Sequence, residues 1–497
     1  MENKYLKSKR VEKLESGAEL SLGMNRVKDE KAYEFSARIE GGLPEGAIVF
    51  VCHGYMISYG RWIEISEHNL KICSYTSWAP VPLAERVYEH GLDIKNFIKL
   101  SIVCSTSTGE KIIRLETDGG EYVMGAGHFS CCDGEITAKA EGVELYDAFL
   151  GFTSFAYSHD IWIIGASYLS LGDPARWPYY WYADGGAGPF LAGRGGMGAQ
   201  HGIADFKDAL NYGTPKILVW DSVSGNNPDR DDVLNPLFYD NTLEMLKICK
   251  EKGIKVYIQT MPSCPLQTNM YKNDVILNRT LEFKNYDYEV IDLARAVNAR
   301  DEKNPAWFPG MLYTDNVHPT RLGGRASYLG IAVDAPELIV GKATKVYSSA
   351  GGALKNLLSG EKLTVKAPEK YKSRTAITFR ADFSGELSGK ITIGSETGSS
   401  VIIDKDTIKV YSSIDDKAKL IFEAENPVIS EKLINLKIDV RDGEASISLA
   451  SMGEKNLDPA KTTLDIFKMP FTVDGDVFAE ADGQEVTDAR IKLVTVE

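Results

Sequence analysis

Short segments in which apolar and polar residues alternate occupy both ends of the chain. Asn96 to Glu121 and Lys432 to Glu454 each consist of an alternating segment, a turn and a second alternating segment. Alternation with a period of two, interrupted by frequent turn residues, is typical of strands in antiparallel sandwiches. The pattern therefore predicts antiparallel β-structure at each end of the chain.

The two ends also resemble each other in sequence. "AYEFSARIEGGL", which begins at Ala32, and "AITFRADFSGEL", which begins at Ala376, share the pattern A-x-x-F-x-A-x-[IF]-x-G-x-L. We infer a duplicated β-sandwich module over residues 1–154 and 345–497. Both copies resemble jelly rolls of the concanavalin-like lectin kind. Such modules can bind sugar, but packing or spacing roles are equally open, because a fold does not determine a function.

Between these modules the apolar residues form continuous runs. "KILVW" (Lys216 to Trp220) and "IKVYIQTMP" (Ile254 to Pro262) are short and rich in β-branched residues, which suits strands buried on both faces of a parallel sheet. Asn235 to Gly253 has apolar residues three and four positions apart and ends in glycine, as amphipathic helices do. This order predicts a central three-layer α/β/α domain with a parallel sheet over residues 155–340.

Charge and hydropathy exclude several classes of partner. The formal net charge of −14 argues against nucleic acid, whose binding needs clustered Lys and Arg. No stretch approaches the roughly 18 apolar residues of a membrane span. The first residues, "MENKYLKSKR", are charged throughout, unlike a secretory signal. We therefore expect a cytoplasmic protein that binds neither nucleic acid nor membrane; the oligomeric state stays open.

The cysteines predict reduced thiols and no metal. All seven lack the regular spacing of a disulfide framework. His128 lies near Cys131 and Cys132, but this spacing matches no common zinc pattern. We expect no metal and no other cofactor.

One loop carries an acid and a base at a spacing that suits catalysis. In "YTDNVHPTRLGG" Asp315 precedes His318 by three residues, so the carboxylate can hold one ring nitrogen while the other nitrogen faces outward. An imidazole oriented in this way serves as general base toward a hydroxyl nucleophile. A single His beside a Pro turn is structural more often than not, so this interpretation depends on the other loops of the segment.

Three earlier loops of the segment complete a known arrangement. Ser167 ends "WIIGAS", Gly198 lies in "AGRGGMGAQHG", and Asn227 lies in "SGNNPD", closely after "KILVW". Together with Asp315 and His318, in this order, these residues resemble the SGNH hydrolase superfamily, also called the GDSL esterases.

The resemblance implies a role for each residue. Ser167 would be the nucleophile, His318 the general base and then acid, and Asp315 the residue that orients the imidazole. The oxyanion hole would consist of the backbone N–H groups of Ser167 and Gly198 and the side-chain amide of Asn227. In the family, the residues corresponding to Ala166 and Pro228 are usually aspartates. Their loss implies differently held loops, or a weakened or inactive enzyme.

An aromatic segment follows the proposed nucleophile. "ARWPYYWYADGG" contains Trp177 and Tyr180, and Trp307 precedes the loop with His318. Flat rings of this kind can contact the apolar faces of sugars, or they can simply pack in the core. We assign Trp177, Tyr180 and Trp307 as candidate substrate-binding residues with both possibilities open.

These observations together predict a serine esterase that removes small acyl groups, with O-acetyl as the expected group, from a carbohydrate. This carbohydrate acetylesterase would act on an acylated oligosaccharide or another small ester through an acyl-Ser167 intermediate. Two alternatives remain: a lipase or thioesterase that hydrolyses longer acyl chains, and a carbohydrate-binding protein with a decayed hydrolase site.

Overall fold

The structure of the protein is a computed structural model. It describes residues 7–25, 31–53, 60–76, 79–104, 111–125, 134–155, 159–169, 177–183, 189–193, 196, 198–221, 237–265, 269–299, 306–308, 310–312, 315–340, 344–349, 355–368, 370–382, 386–414, 417–426, 433–452 and 463–496. More than half of these residues lie in β-strands, most of the sheets are antiparallel, and one sheet is parallel. Across these ranges no helix is both long and apolar enough to cross a membrane.

The N-terminal part of the chain forms two antiparallel sheets. The first contains β1 (Lys7–Leu14), β3 (Lys31–Arg38), β8 (Phe97–Cys104), β9 (Lys111–Thr117), β10 (Gly120–Gly125) and β12 (Leu145–Ser154), in the order β1-β12-β3-β8-β9-β10. The second contains β2 (Glu19–Asn25), β4 (Ile48–His53), β5 (Gly60–Ile65), β6 (Asn69–Thr76), β7 (Ala79–Glu89) and β11 (Gly134–Glu141), in the order β2-β11-β4-β5-β6-β7. Burial alternates along β8, where Ile98, Leu100 and Ile102 are buried. The period-two pattern therefore has its expected cause, one apolar face per strand.

The parallel sheet comes next in the chain. Its strands are β13 (Ile161–Gly165), β14 (Phe190–Gly193), β15 (Ile217–Asp221), β16 (Lys255–Gln259) and β17 (Glu289–Ile291), in the order β14-β13-β15-β16-β17. β13 pairs in parallel with both β14 and β15. In β13 and β15 the central side chains are fully buried whichever way they point, as expected for strands covered on both faces. The two runs predicted as buried parallel strands correspond to β15 and β16.

The helices lie in the same central part of the chain. They are α1 (Trp177–Ala183), α2 (Ala199–Ala209), α3 (Tyr239–Lys252), α4 (Met270–Leu277), α5 (Leu293–Val297), α6 (Arg321–Asp334) and α7 (Pro336–Val340). A short antiparallel pair, β18 (Asn298–Ala299) and β19 (Ala306–Trp307), precedes α6. α3 ends at Gly253, whose φ of 67° is left-handed, so the predicted glycine stop is confirmed.

The C-terminal strands again form two antiparallel sheets, which we call the C-terminal module. The first contains β20 (Thr344–Ser348), β23 (Arg374–Asp382), β28 (Leu433–Arg441), β29 (Glu444–Met452), β30 (Thr463–Pro470) and β32 (Val486–Val496), with β21 (Lys355–Leu357) paired to β32. The second contains β22 (Lys362–Val365), β24 (Lys390–Ser395), β25 (Ser400–Asp404), β26 (Thr407–Ile414), β27 (Lys417–Glu425) and β31 (Val477–Asp482). Side chains of both sheets share one hydrophobic core, so the module is a β-sandwich.

The two ends of the chain have the same topology. The C-terminal orders are β20-β32-β23-β28-β29-β30 and β22-β31-β24-β25-β26-β27; apart from the added β21, they match the N-terminal orders strand for strand. Phe35 pairs with Leu100 of β8, and Phe379, its counterpart in the sequence repeat, pairs with Leu436 of β28. The sequence repeat thus occupies equivalent positions in two sheets of equal order.

By its internal contacts the chain divides into two compact units. The first comprises Met1–Leu171, Gly188–Ser222 and Pro236–Val256, and the second comprises Gly172–Ala187, Val223–Asn235 and Tyr257–Glu497. Antiparallel sheets at both ends with a parallel sheet between them agree with the predicted fold class at this level. The boundaries of the three predicted domains and the three-layer α/β/α arrangement remain predictions.

Candidate active site

Asp315 and His318 form the acid–imidazole pair that their spacing suggested. The His318 Nδ1 atom lies 2.7 Å from Asp315 Oδ2. The other carboxylate oxygen accepts hydrogen bonds from the backbone N–H groups of Val317 and His318, both at 3.0 Å. Because Asp315 binds Nδ1, Nε2 is the ring nitrogen that does not face this carboxylate.

The environment of Asp315 keeps it ionised. Partial burial alone would raise its pKa, but the backbone N–H groups of His318 and Val317, together with the His318 ring, lower the pKa to about 2. An ionised carboxylate only accepts hydrogen bonds, so Nδ1 of His318 carries the proton in this contact. In the neutral form of the ring, this contact selects the tautomer in which Nε2 carries the lone pair.

Local sequence explains the shape of the His318 loop, by which we mean residues 315–319. Asn316 has a φ of 56°, a left-handed conformation that Asn tolerates better than most residues. Thr320 caps α6 by accepting a hydrogen bond from the Gly323 N–H at 3.2 Å, and its hydroxyl donates to the Gly310 carbonyl at 2.9 Å. A Cβ at Gly323 would collide with the carbonyl oxygen of Met311. This glycine therefore permits the close approach of the preceding segment to α6.

Ser167 follows the end of β13 directly and begins a short 3₁₀ turn, Ser167–Leu169. It is half-buried, while the neighbouring Ala166 is fully buried. A Cβ at Gly165 would lie 2.6 Å from Asp221 Oδ2 and 2.7 Å from Leu169 Cδ1. A larger residue would force these neighbours to shift, because the side chain of Asp221, the register partner of Gly165 on β15, lies against the Gly165 Cα.

Gly198 lies at the N-terminus of α2, directly before Ala199. It is buried, and its φ of −103° and ψ of −168° are extended. The unpaired N–H groups at the start of an α-helix favour negative charge. β13 and β14 are parallel neighbours, so the segments that follow them, with Ser167 and Gly198, leave the sheet at the same edge.

Of the predicted catalytic and oxyanion residues, the structure describes Ser167, Gly198, Asp315 and His318. Asp315 and His318 are in direct contact within the second unit, and Ser167 and Gly198 both belong to the first unit. Asn227 lies outside the described residues, and so does Pro228. The catalytic and oxyanion roles remain predictions.

The three candidate substrate-binding aromatics have packing roles in the structure. Trp177 and Trp307 are only 2% and 7% exposed, and the Trp177 ring packs on Trp181. The Tyr180 hydroxyl donates to the Arg321 carbonyl at 3.0 Å. These contacts fit the core-packing alternative, and substrate binding by these rings stays a prediction.

The described ranges contain no group of three or more His, Cys, Asp or Glu residues arranged to hold a metal ion. His128, Cys131 and Cys132 lie outside those ranges.

Sequence reasoning missed Asp221. It is fully buried and ends β15 beside Gly165. Its signal in the sequence was an acidic residue closing a β-branched run, "KILVWD". Buried carboxylates are rare without a specific partner, so Asp221, which lies against Gly165 two residues before Ser167, is a residue of this region that the sequence analysis did not assign.

Comparisons with known proteins give limited information. No family model matches the chain, and no curated protein matches it in sequence. A G-D-S-L lipolytic-family protein from Desulfitobacterium hafniense DCB-2 is 16% identical, covering 35% of this chain and 97% of that chain at a TM-score of 0.29. Galectin LEC-6 from Caenorhabditis elegans is 8% identical, covering 29% of this chain and 96% of that chain at a TM-score of 0.21.

Exo-inulinase from Aspergillus awamori is 16% identical, covering 30% of this chain at a TM-score of 0.21. The chain spans only 29% of the length of that enzyme. Parts of the chain are thus weakly similar to GDSL acyl hydrolases and to sugar-binding β-sandwich proteins. At these TM-scores the similarities do not bear on function, which has to be inferred from the residues themselves.

Proposed function

We propose that the protein is a serine hydrolase of carboxylic esters with Ser167 as nucleophile, His318 as general base and Asp315 as the orienting acid. The observation that carries this proposal is the Asp315–His318 pair. Its 2.7 Å contact places the ionised carboxylate on Nδ1, and in the proposal Nε2 is therefore the nitrogen that accepts the proton. The proposal requires the Ser167 hydroxyl to reach that nitrogen during catalysis.

The reaction proceeds in two halves. Ser167 Oγ attacks the ester carbonyl while His318 Nε2 takes the hydroxyl proton, and the tetrahedral intermediate collapses when His318 returns the proton to the leaving alcohol. Acyl-Ser167 remains. Water then attacks the acyl carbon and gives a proton to His318, which passes it to Ser167 as the carboxylic acid leaves.

The carbonyl oxygen becomes negatively charged in the tetrahedral intermediate, and hydrogen-bond donors are needed to stabilise it. The N–H groups of Ser167 and Gly198 and the amide of Asn227 have this role in the proposal. Removal of one such donor typically costs about 10²–10³ in kcat. The position of Gly198 at the start of α2 supports its share, because the helix N-terminus favours an anion.

The substrate class in this proposal is a carbohydrate with small acyl groups, in particular O-acetyl. Its support is the SGNH resemblance together with the paired antiparallel sheets of the same strand order at both ends of the chain. No cofactor enters the mechanism, and a cytoplasmic location stays part of the same proposal.

Ser167→Ala tests the nucleophile, with Ser66→Ala as control, since the Ser66 hydroxyl bonds to Asn69 in a turn of the N-terminal part. Wild type and the control should hydrolyse p-nitrophenyl acetate and be labelled by a fluorophosphonate. Ser167→Ala should do neither. Equal rates for wild type and Ser167→Ala would overturn the hydrolase proposal and favour a binding protein with a decayed site.

The substrate class needs a separate assay. Initial rates on acetylated xylo- and gluco-oligosaccharides should exceed those on p-nitrophenyl palmitate and on acyl thioesters. A clear preference for long acyl chains or thioesters would instead assign a lipase or thioesterase.

A further inference from the structure

α6, which follows the His318 loop, is buried along nearly its whole length. It begins at Arg321, and every residue from Leu322 to Asp334 is buried. An ordinary surface helix of an α/β protein keeps one polar face in water. α6 has no such face because, within the second unit, it also contacts β28, β29, β30, β23 and β32 of the C-terminal module.

Arg325 anchors the first half of α6 to the module. Its side chain is nearly buried, and its Nη2 atom donates to Ser448 Oγ at 2.8 Å and to the carboxylate of Asp465. The guanidinium also lies 5.1 Å from the centre of the Tyr180 ring and 5.4 Å from that of Tyr328. An arginine in such a place fixes both the position and the orientation of the helix that carries it, because its planar guanidinium stacks on rings and donates hydrogen bonds at the same time.

Asp334 anchors the other end of α6. Its carboxylate accepts two hydrogen bonds from Arg380 Nη1, at 3.0 and 3.1 Å, and one from Arg490 at 2.9 Å. Lys492 donates to its backbone carbonyl. Burial would raise the pKa of Asp334, but Arg380, Arg490 and Lys492 hold it below its ordinary value. The buried carboxylate is therefore charged and fully paired, as a buried ion must be.

The described part of the N-terminal sheet of the same topology carries different residues at the positions that hold Arg325. From the paired registers, Ser448 and Asp465 of β29 and β30 correspond to Arg114 and Val123 of β9 and β10. Val123 is 45% exposed, whereas Asp465 holds a buried arginine. Ser448 and Asp465, the two residues that hold Arg325, therefore have no counterparts of the same chemistry at these positions of the N-terminal sheet.

We propose that Arg325, held by Asp465 and Ser448, is a positioning residue for the His318 loop, and that the C-terminal module is an integral part of the hydrolase. This inference rests on the proposed function. Arg325 lies seven residues after His318 in the sequence and about one helical turn after the start of α6 at Arg321. Tyr180, whose ring lies beside the Arg325 guanidinium, donates to the Arg321 carbonyl at 3.0 Å. We call the contacts of Arg325 with Ser448, Asp465 and Tyr180 the clamp. The clamp holds the first turns of α6, which directly follow the His318 loop in the chain. A displacement of about 1 Å at a catalytic group costs about a hundredfold in rate.

The test uses the full chain with Arg325→Met, Arg325→Lys and Asp465→Asn, and with Lys390→Met as control. Lys390 pairs with Asp482 on the surface of the same module. Arg325→Met should lower kcat about 10–100-fold with KM nearly unchanged and should shift the pH profile, while Arg325→Lys recovers part of the rate. Asp465→Asn should give a smaller loss, and the control should match wild type.

Circular dichroism separates misplacement from unfolding. If Arg325→Met does not fold, Arg325→Lys and Asp465→Asn carry the test. Folded variants with kcat within twofold of wild type, or a rate loss equal to the unfolded fraction alone, overturn the proposal.

Amide hydrogen exchange of residues 310–325 gives a readout without activity. It should speed up in Arg325→Met and stay unchanged in Lys390→Met. If wild type is inactive, the proposed function fails, and faster exchange then still demonstrates the clamp. Unchanged exchange in Arg325→Met overturns the clamp even in an active enzyme.

Discussion

Replacing Asp315 with Asn changes one oxygen for an NH₂ group and removes the charge next to His318. The Asn carbonyl can still accept from the N–H groups of Val317 and His318, which Asp315 Oδ1 binds at 3.0 Å. Its NH₂ group would face His318 Nδ1, now 2.7 Å from a carboxylate oxygen. Two donors cannot share that contact, so Nδ1 has to become an acceptor and the ring proton moves to Nε2, the nitrogen that must take the proton of Ser167.

The effect on stability should be small. A hydrogen bond to a charged group contributes roughly 1.5–3 kcal/mol. The Asp315 side chain is 48% exposed, and solvent screening reduces this to about 1 kcal/mol or less. Asp315→Asn should therefore stay folded at 25 °C, with a melting temperature lower by only a few degrees.

The effect on catalysis should be much larger. Loss of a correctly oriented general base costs about 10²–10⁴ in rate, which is roughly 3–5 kcal/mol on the barrier. Steady-state kinetics on p-nitrophenyl acetate should show this loss in kcat with KM nearly unchanged.

Asp404→Asn is the matched control for this experiment. Asp404 accepts hydrogen bonds from the N–H groups of Asp406 and Thr407 at 2.8 and 2.6 Å in a hairpin of the C-terminal module. The Asp404→Asn variant loses the same charge in a similar turn, and Asp404 is not one of the proposed catalytic residues. The reasoning is refuted if Asp315→Asn keeps kcat within about threefold of wild type, or if Asp404→Asn loses as much.

Three further predictions follow from the same structure. The pKa of Asp315 is lowered to about 2, so the contribution of the ionised side chain to stability should be constant above about pH 5 and be lost as the pH falls from about 4 to about 2. The difference in unfolding free energy between wild type and Asp315→Asn, measured as a function of pH, checks this. A difference that is lost between pH 8 and pH 5 would contradict it. Gly165→Ala should destabilise the protein by about 1–3 kcal/mol, because the new Cβ would lie 2.6 Å from Asp221 Oδ2, and an unchanged melting temperature would show that the turn adapts freely. Burial raises the pKa of Cys73 and of Cys249 to about 12, so neither thiol should react with iodoacetamide at pH 8 in the folded protein. Mass spectrometry of the labelled peptides tests this, and protein unfolded in urea, in which both thiols should react, is the control.

Patterns within a short stretch of chain predicted local structure well. Alternation along β8 follows from one buried face, and the glycine after α3 follows from its left-handed φ of 67°. The contact between Asp315 and His318 was also accessible from sequence, since both residues lie in one turn and their spacing limits where the side chains can meet.

Burial of the aromatic residues was not accessible in the same way. Trp177 and Trp307 are apolar rings next to candidate catalytic loops, a description that fits a substrate cleft and a core equally well. Only the surrounding packing, which leaves them 2% and 7% exposed, distinguishes the two situations.

The sequence by itself determined the types and order of the elements, the repeated β-pattern and the Asp315–His318 turn, because these depend on periodicity and on neighbours a few residues apart. Only the tertiary structure decided that Asp221 lies against Gly165 and that Arg325 binds Asp465, 140 positions further along the chain. Such contacts depend on the register between strands and on which sheet covers which helix. Many distant side chains set that packing together, and no short segment contains it.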